Sequence, residues 1–184
     1  MKLHESIEPF RAAIEALQHL FTKLDNPGVI IGGVAVSFLG RPRLTEDVDA
    51  MLLLSIEDIP RFLEAASAEQ INPRIQNAAE FAKRNRVLLL QHSPTETNID
   101  VSLGVLPFER ETVERGIVQF TPTLSVHLPT PEDLIIMKAI AHRPKDLEDI
   151  RTIVDKQSEL DSERIEYWVK SLKFLSYGTR LKIF

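Results

Sequence analysis

Asp47 and Asp49 are separated by one residue and lead into Ala50-Met51-Leu52-Leu53-Leu54, an apolar run of the kind that fills a sheet interior. On a strand, side chains at i and i+2 share a face, so the two carboxylates stand side by side at the entrance of an element that otherwise belongs in a core. Held that close they repel, and one keeps its proton unless a cation or a basic group joins them; a divalent metal is the economical solution. Upstream, Gly32 and Gly33 end the run Val29-Ile30-Ile31 and precede Val34-Ala35-Val36-Ser37-Phe38-Leu39. Glycine at such a strand-to-helix junction tolerates positive φ and lets backbone approach a ligand, while the helix start offers free N–H groups to a phosphate. An anion cradle beside a metal seat is the chemistry these residues offer. A third acid, Asp100, shares one face of a strand at 98–103 with Ser102, while Ile99, Val101 and Leu103 take the other, and it is within reach of Asp47 and Asp49.

The elements that must position these groups are readable in order. Apolar residues at Ile7, Phe10, Ile14, Leu17, Phe21 and Leu24 predict one helix over 6–24, which Asn26-Pro27-Gly28 ends before the first strand. After the second strand, Ser55 with Asp58 three residues on reads as a helix start, with Ile59, Phe62, Leu63 and Ala66 on its apolar side. Residues 69–85 are polar, contain Pro73 and hold a short helix at 78–83. Strands follow at 86–92 and 98–103 around a hairpin-length loop, then strand-like segments at 116–121 and 125–128, with Pro107, Pro122 and Pro129 as punctuation. Thr130-Pro131-Glu132-Asp133 has the cap, the first-position proline and the acidic first turn of a helix that carries Lys138. Pro144 restarts a helix with Leu147, Ile150, Ile153 and Val154 as its core side and Lys145, Asp146 and Asp149 around it; a last amphipathic helix covers 162–175. No repeat, low-complexity tract or linker divides the chain. The expectation is an α+β fold, a small mixed sheet with packed helices and a helical C-terminal portion, divided into a core at 1–128 and helices at 129–184.

Composition narrows the class. The chain is 43% apolar and 27% charged, with no cysteine, which removes disulfides and thiolate zinc sites and fits a cytoplasmic location. A basic start with an apolar leader is absent, and the run at 29–39 is too short to span a bilayer, so no membrane partner is expected. A net charge of −5 argues against broad nonspecific nucleic-acid binding, which needs clustered cations. Local basic patches remain at Arg41 and Arg43, at Lys83, Arg84 and Arg86, and at Lys170, Lys173, Arg180 and Lys182. His4, His19, His92, His127 and His142 show no metal-ligand spacing.

Gly32-Gly33, thirteen residues, then Asp47-Val48-Asp49 resembles the GG/GS…D-x-D signature of the nucleotidyltransferase superfamily. Lys138-Ala139-Ile140-Ala141 followed by Arg143-Pro144-Lys145-Asp146-Leu147-Glu148-Asp149 resembles the K-x-x-A…R-x-K-D-x-x-D segment of the AbiEii-like abortive-infection toxins. The resemblance implies a nucleotidyltransferase-like fold and Mg²⁺-dependent transfer of a nucleoside monophosphate from an NTP to a hydroxyl on tRNA or protein. A toxin role and a cognate antitoxin are implied with it. Asp47, Asp49 and Asp100 would hold two Mg²⁺ ions and act in catalysis. Gly32 and Gly33 would face the triphosphate, Lys138 would reach its phosphates, and Arg143, Lys145 and Asp146 would complete the nucleotide site. Two other readings stand beside it: a small-molecule transferase of the antibiotic-modifying type, and a non-catalytic nucleotide-binding or antitoxin-like module. For Lys145 and Asp149 the alternative is a surface ion pair at i,i+4.

Overall fold

The computed structural model describes residues 2–178. The chain opens with α1 (Leu3–Ile7), a 3₁₀ turn (Glu8–Phe10) and α2 (Arg11–Lys23), where one helix is expected from the periodicity. Pro9 sits at the start of the 3₁₀ turn, and its missing N–H breaks the run that the apolar spacing alone would continue. Then come β1 (Gly28–Ile30), α3 (Gly32–Leu39), β2 (Asp47–Leu52), α4 (Ile59–Ala68), β3 (Ile71–Pro73), α5 (Ala78–Asn85), β4 (Val87–His92) and β5 (Thr97–Leu103). α6 (Pro107–Glu114) precedes a hairpin of β6 (Ile117–Phe120) and β7 (Ser125–Leu128), and α7 (Pro131–Ala141), α8 (Pro144–Lys156) and α9 (Ser162–Gly178) close the described chain.

β1 to β5 form a mixed sheet in the order β1-β2-β5-β4-β3. β2 and β5 run parallel at its centre, while the other neighbours are antiparallel. A parallel pair needs a crossover, and here it is the whole of α4, β3, α5 and β4. The register sets Asp49 opposite Asp100 and Val48 opposite Ile99. Alternation then sorts the two faces. Val48, Ala50, Leu52, Leu88, Leu90, Ile99, Val101 and Leu103 are buried, whereas Asp47, Asp49, Asp100, Ser102, Leu89 and Gln91 on the other face remain partly open. α2 packs on β1, β2 and α4, and α4 packs on β3. α3 lies against β2 and α8, and α7 joins α3, α8 and α9.

β3, α6 and α8 also differ from the sequence expectation. Pro107 is the first residue of α6 rather than a break, with the Glu109 carboxylate accepting from the backbone N–H of Val105 and Leu106 at 2.7 and 2.8 Å. α8 buries Ile153 and packs Ile150 on the core as expected, but Leu147 and Val154 are 43% and 46% exposed, while Asp146 and Asp149 face inward at 0% and 3%. α9 docks through Arg164, which donates to Asp133 and to Glu111 at 2.8 Å each, and through Trp168 against Phe108. No helix among the described residues is long and apolar enough to cross a membrane. Of the C-terminal basic residues, Lys170 pairs with Glu166, and Arg180 and Lys182 lie outside the described residues.

Candidate active site

α3 begins at the glycine pair itself. Gly32 has a φ of +63°, and a Cβ there would lie 1.9 Å from Asp49 Oδ2, so no other residue leaves room for that carboxylate. A Cβ on Gly33 would meet Thr45 Oγ1 at 2.5 Å. The backbone N–H of Ile31 donates to the Asp49 carbonyl at 2.8 Å, tying the helix start to β2. Bare backbone, the N-terminus of α3 and the Asp49 carboxylate thus meet at one point.

A pocket of about 270 Å³ opens there, lined by Gly32, Gly33, Asp47, Asp49, Asp100, Lys138, Arg143 and Lys145 among others. Every residue expected in the site except Asp146 lines it. On the sheet side, burial first, then the charges of Asp47 and Asp100, push the Asp49 carboxyl up to about 6. Asp100 is also raised, by burial, against the opposing pull of Arg74, whose Nη2 donates to its Oδ1. Asp47 accepts from the Thr45 hydroxyl at 3.3 Å. Among the described residues no ion pair reaches Asp47 or Asp49.

The helical side is built in the opposite manner. Lys138 is 5% exposed and its Nζ lies 2.9 Å from Asp149 Oδ2 and 3.3 Å from Asp146 Oδ1. Arg143 donates through Nε and Nη2 to the two Asp146 oxygens at 2.7 and 3.2 Å. Arg43 grips Asp149 in the same forked way, at 2.8 and 3.0 Å. Burial pushes both acids up, but the hydrogen bonds from Arg143 to Asp146, and from Arg43 and Lys138 to Asp149, outweigh it and hold both below the usual carboxylate range. Three cations and two acids therefore alternate as Arg43, Asp149, Lys138, Asp146, Arg143, with the cations on the pocket and the acids behind them.

Asp146 accordingly stands behind the pocket, a support for Lys138 and Arg143 rather than a lining group. Asp149 makes no surface pair with Lys145; it is buried on Arg43 and Lys138. Thr45 and Arg43 stand two and four residues before Asp47 on the loop that leads into β2, and in the sequence Arg43 reads only as part of a local basic patch. Arg74 carries no such mark.

The chain matches the family described as "Nucleotidyl transferase AbiEii toxin, Type IV TA system" over residues 15–183. It belongs to the AbiEii nucleotidyltransferase family. Solved structures agree in fold: the solution structure of the antibiotic-resistance factor ANT(2'')-Ia has a TM-score of 0.62 at 12% identity, covering 90% of this chain and 91% of that one. An antigenic nucleotidyltransferase-like protein from Paracoccidioides brasiliensis has a TM-score of 0.57 at 18% identity, covering 97% and 95%. ANT(2'')-Ia in complex with adenylyl-2''-tobramycin has a TM-score of 0.58 at 14% identity, covering 89% and 97%. At these identities the likeness speaks for the fold of this AbiEii-family chain. A search among curated proteins returned no match.

Proposed function

We propose that the pocket transfers a nucleoside monophosphate from an NTP to a hydroxyl acceptor with the help of Mg²⁺. The observation that carries this reading is the pairing of an under-neutralised acidic wall with a row of fixed cations across a glycine-floored pocket. The cations and the start of α3 suit the triphosphate, with Gly32 and Gly33 giving the close backbone approach. Asp47 and Asp49 fit a divalent cation by charge, by shared face and by the lack of any basic partner. Asp100 opposite them fits the same group once it turns from Arg74; as they stand, no three His, Asp or Glu side chains among the described residues enclose an ion. Two Mg²⁺ ions bound there would stabilise the charge on the phosphoryl oxygens and the leaving group and lower the pKa of the attacking hydroxyl. The acceptor oxygen forms a bond to the α-phosphorus, the bond between that phosphorus and the bridging oxygen of the β-phosphate breaks, pyrophosphate leaves, and the hydroxyl proton passes to Asp100, the pocket carboxylate set opposite Asp49. On the expected division at 128/129, Asp47, Asp49, Asp100 and Arg43 would come from the core and Lys138, Arg143 and Lys145 from the helical portion.

For the acceptor, the reading is a tRNA or protein hydroxyl, with the protein a toxin held by a cognate antitoxin in the cytoplasm. An acceptor reaching Asp100 meets Arg74, and the pocket lining carries four basic residues against three acids, which suits an anionic acceptor such as tRNA. The second reading, a small-molecule transferase, is favoured by the fold likeness to ANT(2'')-Ia over 91% of that chain. Incubation with each α-labelled NTP, Mg²⁺ and total cellular RNA or protein separates them. Label in RNA or protein supports the first reading, label only on added aminoglycosides supports the second, and label nowhere leaves a non-catalytic nucleotide-binding or antitoxin-like module.

A further inference from the structure

Of the three pocket acids, Asp100 is the one with a cation in contact, and that contact differs in kind from the others around the site. Arg43 holds Asp149 with two donors on a carboxylate that is 4% exposed. Arg74 holds Asp100 with a single nitrogen on a single oxygen, and the two side chains are 26% and 31% exposed. One-point, part-exposed pairs contribute little and are readily exchanged, whereas forked, desolvated pairs are not. Arg74 is also placed to let go. Its backbone N–H is fixed to the Leu89 carbonyl at 3.1 Å, and Leu89 is the register partner of Asp100, so the guanidinium reaches across one strand to the acid. The Arg74 side chain makes no second hydrogen bond or ion pair among the described residues.

We propose that Arg74 is a positioning residue that serves as a removable counter-ion: it neutralises Asp100 in the metal-free site and yields that carboxylate to a divalent cation. The inference rests on the nucleotidyltransferase reading of the pocket. The exchange is one of charge alone: a divalent ion beside Asp47 and Asp49 brings two positive charges to a wall of three acids, where the guanidinium brings one. Displacing the arginine counts against cation affinity. Cation entry therefore also sets a guanidinium free on the open half of the sheet, beside Leu89 and Gln91, where the acceptor must approach Asp100.

The test is Mn²⁺ binding to the full chain, followed by the electron paramagnetic resonance of free Mn²⁺, with and without a non-hydrolysable NTP analogue. Without nucleotide, Arg74→Gln should bind Mn²⁺ about five- to tenfold tighter than the parent, Arg74→Lys should stay near the parent, and the gain should vanish in an Asp100→Asn background, as a pairwise contact requires. A melting curve for each variant confirms that it is folded, and a purely structural role for Arg74 would lower stability without tightening Mn²⁺. Unchanged or weaker Mn²⁺ binding by Arg74→Gln, or a gain that persists with Asp100→Asn, overturns the proposal while leaving the nucleotide site standing if the parent still binds Mn²⁺ with the analogue. Failure of the parent to bind Mn²⁺ even with the analogue overturns both.

Discussion

The two walls of the pocket handle charge in opposite ways. Across the helical wall every acid is answered: Asp146 and Asp149 are buried, each on two cations, and both are held below the usual carboxylate range. Across the sheet wall only Asp100 has a cation, Arg74, while Asp47 and Asp49 have none among the described residues, and Asp49 is pushed up to about 6 by its burial and its acidic neighbours. A wall whose partners are all in place is a finished part of the fold, since removing one partner strands a buried charge. A wall with unanswered charge is unfinished without a ligand, and its cost is carried by the rest of the structure. Substitution should therefore separate the two: on the sheet side function goes and the fold stays, on the helical side the fold suffers as well.

The largest effect is expected from Asp47→Asn with Asp49→Asn. Nucleotide transfer should fall by at least ~10³-fold, in keeping with the several kcal/mol that a bound metal supplies to such a transition state. Calorimetry should show Mg²⁺-dependent NTP binding lost and the melting temperature undiminished; retained Mg²⁺-NTP affinity would remove the metal assignment. Next comes Asp149→Ala, which leaves Lys138 and Arg43 short of their shared partner and should cost about 3 kcal/mol, the lower end for breaking a buried pair. Urea unfolding measures it, and a loss under ~1 kcal/mol, the level of a surface pair, would end the contrast between the walls.

Lys138→Met keeps the apolar stem and removes the charge. It should weaken NTP binding by about 1.5–3 kcal/mol, as for hydrogen bonds to charged groups. An unaltered nucleotide dissociation constant would mean that Asp146 and Asp149 use up its charge entirely.

The smallest expected effect sharpens the comparison through pH. In the metal-free chain the folded form of Asp49 holds its proton up to about 6, against an ordinary value of 3.8, so between those values the folded state binds more protons than the unfolded one. The contribution of this group to stability is full at low pH and is lost as pH rises through about 6. Asp49→Asn should accordingly raise metal-free stability at pH 7–8 by roughly 1–2 kcal/mol, and by little at pH 4. Asp146 and Asp149 are shifted the other way, so their contribution is present at neutral pH and lost as pH falls through their lowered values. Denaturation in EDTA across this range, with a stabilising slope for Asp49→Asn of the opposite sign, would collapse the distinction.

The sheet wall was legible in the sequence because its geometry is local. Alternation along one strand puts Asp47 beside Asp49, and the same rule separates Asp100 from Ile99 and Val101. The glycine pair reads locally too, as a junction needing bare backbone. The helical wall was harder because apolar periodicity puts Leu147, Ile150, Ile153 and Val154 on the core side of α8, whereas the helix buries Asp146 and Asp149 beside Ile153 and leaves Leu147 and Val154 exposed. What turns the two acids inward is ion pairing with Arg43 on a distant loop and Lys138 on the preceding helix, information that no window on α8 contains. β3 is three residues ending in Pro73, too short to show a period, and α6 was hidden because its first-turn proline resembles a break. Arg74 had no mark at all, since its meaning comes from standing across Leu89 from Asp100.

The parallel pairing of β2 with β5 has a kinetic consequence. The two central strands are separated in sequence by the whole crossover, and contacts across such a separation require the loop-closure entropy to be met before they contribute any stability. The third acid joins the first two only when that pairing closes, and of the cation row only Arg43 is early, Lys138 and Arg143 arriving later still in the chain with α7 and the start of α8. A ribosome-bound or half-folded chain therefore holds the glycine pair and the first two acids without Asp100 or Lys138, and on the proposed reading of the pocket turnover would have to wait for the last long-range contacts. The order of synthesis would then act as a delay on the enzyme.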